Sequence, residues 1–217
     1  MKSVMKKVIL ALFATAALSA APQLSYGFGI PSVAVGGGGD FDGFLNSADQ
    51  ANVLMKQSSW SLAKALLSKD KLDALKDRRL AIEKITDPKE KAAKTAEMEK
   101  DVNAELAKVD YAAKSKEMEK EHDKAKKENT AVGIYNFALG ALKDTELVAQ
   151  GTKLATTVPS PAIATKLPRV KEFVSNVSGQ MDSITKVVSG LKQLAPAVGL
   201  KALPTKSSEA AKPATAD

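Results

Sequence analysis

Apolar residues recur every three or four positions over long stretches of this chain, the spacing of a helix face rather than the alternation of a strand. Leu45, Ala48, Met55, Ser59, Leu62 and Leu66 share one face, and Leu72, Leu75 and Leu80 extend the stripe. Lys69, Lys71, Lys76, Arg78 and Arg79 fall on the wet side. Asn46 or Ser47 can cap the start, so the pattern predicts a first helix over about 46–85. Trp60, the only tryptophan, reads as an anchor of the stripe. Thr86-Asp87-Pro88 then ends one helix and starts the next. Thr86 or Asp87 can cap, Pro88 has no N–H to leave unbonded, and Glu90 complements the helix dipole. So short a break predicts an antiparallel hairpin.

From Pro88 to Glu128 the chain is dominated by Lys, Glu and Ala, with 11 lysines balanced by 11 acids. Pairs such as Glu97–Lys100 and Glu117–Lys120 support a helix, and Met98, Val102, Leu106, Val109, Ala113 and Met118 give it a thin apolar seam. This predicts a coiled-coil-like arm about 60 Å long at the usual helical rise. At Asn129-Thr130 the character changes. Val132, Ile134, Tyr135, Phe137, Leu139 and Leu142 make the next stretch apolar on nearly every side, so it faces either a core or lipid. The reading is one rod over 88–150, wet in its first part and greasy in its second, ending near Gly151.

Val158-Pro159-Ser160-Pro161 is a stiff turn, and Leu167-Pro168 starts the last helix, over 168–194. There Val170, Val174, Val177, Met181, Ile184, Val188 and Leu191 alternate spacings of four and three, a heptad seam widened by Phe173 and Val187. Its flanks lack the complementary charges of a zipper, so a bundle helix is the better reading. The sequence thus predicts an all-α fold: a long antiparallel hairpin or elongated bundle over 46–195, followed by a disordered tail over 196–217.

The ends place the protein. Lys2, Lys6 and Lys7 precede an apolar run from Val8 to Leu18 and small residues at 19–21, the order of a secretory signal peptide. Cleavage is expected after about residue 20 or 27, and the run is too short to anchor the chain in a bilayer. Residues 28–45, with Gly36 to Gly39 in a row, read as a flexible leader. Of the net charge of +7, three units lie in the first 27 residues, and the remaining basicity is spread over the last third. That leaves a possible anionic membrane surface as a partner. With no cysteine, the chain has neither disulfides nor thiolate chemistry.

No catalytic, cofactor-binding or metal-binding residue stands out. His122, the only histidine, sits among charges, and zinc needs at least two nitrogen or sulfur ligands. Aromatics are sparse and not interleaved with basic clusters, which argues against nucleic acid. The expectation is an exported, non-enzymatic helical protein of the bacterial envelope or exterior, periplasmic or extracellular. Its role would be structural, scaffolding or chaperone-like, with a protein partner or self-association through helices. In length, export and helical arms it resembles the periplasmic holdase chaperones, although no alternating pattern predicts their strand-built body. The alternative is a membrane-active protein that presents 132–142 and 168–194 to lipid.

Overall fold

The computed structural model describes residues 41–156 and 161–213. The expected signal peptide at 1–27 and the leader up to residue 40 lie outside the described residues. Among these residues every regular element is a helix. In order they are α1 (Phe41–Leu66), α2 (Lys69–Glu83), α3 (Pro88–Leu106), α4 (Tyr111–Glu119), α5 (Lys124–Ala155), α6 (Pro161–Ala164), α7 (Leu167–Ser178), α8 (Met181–Leu194) and a 3-10 turn (Ala195–Val198).

The spine is α1 laid antiparallel against α5. Going up α1, Phe44 faces Gly151, Met55 faces Gly140 and Leu62 faces Gly133. At each glycine the missing side chain lets the other helix come close. A Cβ on Gly151 would stand 2.6 Å from Val174 Cγ2 and 2.9 Å from Phe44 Cζ. The rod α7–α8 runs along the same pair, also antiparallel to α5, and α2, α3 and α4 pack around one half of it.

Several boundaries correct the sequence reading. Helix α1 starts at Phe41 rather than near 46, because Phe41, Phe44 and Leu45 are buried. The expected helix over 46–85 divides at Ser68, whose backbone is extended (φ −64°, ψ 155°), so that Leu75 and Ile82 of α2 can bury against the core. At Asp87-Pro88 the reading is met: the Asp87 carboxylate accepts from Glu90 N–H at 2.8 Å, and α2 and α3 pair across the turn.

The rod over 88–150 is three helices. Asp110 accepts from Ala113 N–H at 3.0 Å, and Asp123 accepts from Lys126 N–H at 3.1 Å, each starting a new helix. Aspartate is a poor interior residue and a strong cap, and the caps prevail here. A second device holds the α4–α5 turn. Glu121 takes the Lys126 ammonium at 2.6 Å, with the N–H groups of Asp123 and His122, which holds its carboxyl down at about 2.

The heptad seam faces inward, but on two helices. Val170, Val177, Ile184 and Leu191 are buried, Val174, Met181 and Val188 are half-buried, and the rod bends at Gly179-Gln180. Val170, Val174, Val177 and Met181 belong to one core, and Ile184, Val188 and Leu191 to another. The helix expected over 168–194 is therefore α7 plus α8.

The stretch 132–142 is interior to this chain. Ile134, Phe137 and Leu139 are completely buried, and Val132, Tyr135 and Leu142 are half-buried. Among the described residues no helix is long and apolar enough to cross a membrane.

The expected tail from residue 196 also changes. Val198 and Leu200 join the core, and residues 201–213, although without regular structure, lie against α5 as an arm. Residues 214–217 lie outside the described residues.

Candidate functional site

Two features stand out. The first is a groove of about 1490 Å3 beside α1. Val53 and Trp60 of α1 form its floor, with Ile82 of α2, Met98 and Val102 of α3, and Val132 and Gly133 of α5 around it. Residues Ala211 to Pro213 of the arm complete the wall. Val53 is 48% exposed there, a large apolar side chain that this chain leaves uncovered.

The groove's rim is basic. Lys56, Lys64, Arg79, Lys91, Lys126 and Lys212 line it against Glu83, Glu99 and Asp123. Lys56 pairs with Glu99 at 3.2 Å, and Arg79 pairs with Glu83 at 3.1 Å while its guanidinium stacks 5.5 Å from the Trp60 ring centroid. Such a cation held over the indole face fixes the ring. Apolar floor and charged rim together suit an amphipathic ligand.

The second feature is a polar layer under that groove. A cavity of about 40 Å3 is lined by Asn52, Ser59, Glu99, Asn103, Asp144 and Gln180 among others. Ser59 Oγ donates to Asn103 Oδ1 at 2.8 Å, and Asn103 Nδ2 donates to Gln180 Oε1 at 3.0 Å. Asp144, 3% exposed, has no hydrogen-bond partner at Oδ1 among the described residues. Burial pushes its carboxyl up to about 7. A space of this size has room for water between polar walls.

Lys143, the residue before Asp144, is also buried, and burial lowers its pKa. Its ammonium points to the arm, where it donates to the Ser207 carbonyl at 2.6 Å. Adjacent opposite charges on α5 thus serve different neighbours.

Sequence reasoning singled out the apolar residues of α5 and α7–α8, which the structure brings together as core. It passed over Asn136, Lys143 and Asp144. The signal was there: Asn136 inside the apolar stretch, and Lys143 and Asp144 directly after it, are polar residues where the helix is being buried. His122 is exposed in the turn before α5. Among the described residues no group of three His, Cys, Asp or Glu could hold a metal ion. No family model, no curated protein and no solved structure matches the chain.

Proposed function

We propose that this is an exported, non-enzymatic binding protein of the bacterial envelope or exterior, which holds an amphipathic segment of another polypeptide in the groove beside α1. The observation that carries this reading is the groove itself. At about 1490 Å3 it is larger than the roughly 300–1,000 Å3 of a small-molecule pocket. Its apolar floor and charged rim match the two faces of a partner helix or an unfolded client. Export rests on the lysine-led apolar run at the start of the sequence. Of the polar residues nearby, Ser58, Thr95 and Thr130 donate to backbone carbonyls, and Lys56 and Arg79 pair with Glu99 and Glu83. A chaperone-like or scaffolding role needs only reversible contact with such a segment. A lipid-binding role has less support, because Ile134, Phe137 and Leu139 are enclosed within the chain.

The protein supplies its own probe, since Trp60 is the only tryptophan and lines the groove. Titration with a synthetic amphipathic helix should shift its emission to the blue and saturate. Val53→Asp should weaken that binding about tenfold or more, the cost of placing a charge in an apolar contact. The same titration with anionic vesicles should leave the emission unchanged. An unmoved spectrum with every helical peptide tried, beside a shift with vesicles, would overturn the reading.

A further inference from the structure

The arm at residues 205–213 is bound in a way that does not require it to come from the same molecule. The apolar anchors, Leu203 on the core and buried Pro204, come before it, and within 205–213 no side chain is buried. Its attachment is polar and is directed at α5. The Asn136 side chain, itself 9% exposed, donates to the Lys212 carbonyl at 2.9 Å and accepts from the Lys212 N–H at 2.8 Å. That two-point contact reads the backbone of one residue, whatever its side chain. Buried Lys143 donates to a second main-chain carbonyl, that of Ser207.

Side chains then add selectivity. The Tyr135 hydroxyl donates to Glu209 at 2.8 Å, the Ser207 hydroxyl donates to Glu146, and the Lys212 ammonium lies 4.5 Å from the centroid of the Tyr135 ring. The arm also carries its own turn: the Glu209 carboxylate accepts from the N–H groups of Thr205 at 2.7 Å and Lys206 at 2.9 Å. It can therefore leave and return as a formed unit. Six positions before the arm, Gly199 takes a left-handed conformation (φ 76°), which ends the 3-10 turn.

The receiving face has the opposite character. Lys143 and Asn136 are desolvated on α5 and need an occupant, because an unpaired buried ammonium or amide is costly. We infer that Tyr135, Asn136, Lys143 and Glu146 form a receptor face for an extended peptide, and that its partner in trans is residues 205–213 of a second copy of this chain. An arm from a second copy makes the same contacts as the arm in cis, so exchange changes only the connection through 200–204. Reciprocal exchange of this kind is a low-cost route to a closed two-fold dimer.

The absence of native cysteine makes the test clean. Full-length chains carrying Glu146→Cys are mixed with full-length chains carrying Ser207→Cys and oxidised mildly. A third chain with both substitutions reports whether the two positions meet at all. The double variant should close its disulfide within one chain at low concentration. The mixed single variants should give a disulfide-linked heterodimer several-fold above a control pair, Ser207→Cys with exposed Leu80→Cys. If the double variant closes and the mixture gives no more heterodimer than the control, the arm stays with its own chain and the proposal fails. It fails equally if the double variant does not close, because the arm then does not lie on α5.

Discussion

The two cores of this molecule share the same two helices and are built on opposite plans. The first joins the start of α1 to the end of α5 and to α7: Phe41, Phe44, Leu45, Ala48, Ala51, Leu147, Val170, Phe173 and Val177. It is closed by an edge-to-face pair of Phe44 and Phe173 with centroids 5.6 Å apart. Its rim carries only exposed ion pairs, Lys166–Asp42 and Arg169–Asp49. The second core takes the other halves of α1 and α5 and adds α2, α3, α4 and α8. It is wider, borders the groove, and has Leu200 after the last helix as part of it. Between the two, at Asn52 and Ser59 on α1, Asp144 on α5 and Gln180 on the bend, lies the polar layer. The lesson is one of position. These polar residues mark a boundary that α1 and α5 cross unbroken, while α7 gives way to α8 there.

The strongest way to break this division is to empty the first core. Phe44→Ala should cost about 3–5 kcal/mol, read as a fall in the urea midpoint, because so enclosed a site cannot collapse around the cavity. Because α1 and α5 run through both cores, the transition should stay single. Separate transitions by fluorescence of Trp60 and by helical signal would mean that the two cores are independent.

Next in size is the boundary itself. Unfolded, the Asp144 carboxyl loses its proton near pH 4, and folded it holds it until about 7. Between those values the folded state binds more protons, so stability should fall as pH rises through the window and level off above it. The loss is on the order of a few kcal/mol. Asp144→Asn should flatten that profile, and an unchanged slope in the variant would show that Asp144 does not carry it.

A third prediction contrasts the glycines along α5. Gly151→Ala drives a Cβ into Val174 and Phe44 and should cost about 1–3 kcal/mol by overpacking. Gly133→Ala meets Ser61 Oγ at 3.2 Å, a side chain with room to move. It should be near neutral, because alanine also favours the helix by about 1 kcal/mol over glycine. Equal costs at the two sites would show that Val174 and Phe44 do not resist a methyl group at Gly151. The smallest effect belongs to the surface: Lys69→Ala removes the exposed pair with Asp73 and should leave the urea midpoint where it was.

What could be read in advance was local. Helix content, the Asp87-Pro88 junction and the inward face of the 170–191 seam all follow from spacing and caps. The breaks at Asp110 and Asp123 were invisible because an aspartate among lysines and glutamates looks like one more surface charge. What makes Asp110 a cap is Tyr111 behind it, buried against Gly190 with its hydroxyl on the Leu106 carbonyl at 3.0 Å. Gly190 lies 79 positions further along the chain. The groove was out of reach for the same reason, since its walls come from five separated segments. The arm was misjudged on composition: Ala, Lys, Pro and Ser can build no core of their own, but Asn136 and Lys143 supply the bonds that hold it.

The antiparallel seating of α1 on α5 also sets a timetable. Asp42 meets Lys166 across 124 positions, and Asn103 reaches Gln180 across 77. Few contacts of the spine are local, so nucleation must wait for distant chain to arrive, and folding should be slow for a helical protein. At about 5–20 residues per second of synthesis, α1 spends several seconds without its mate. Before then it has only α3 to pack against, where Ser59 reaches Asn103 across 44 positions. That delay is a property of topology, and no side chain has to enforce it.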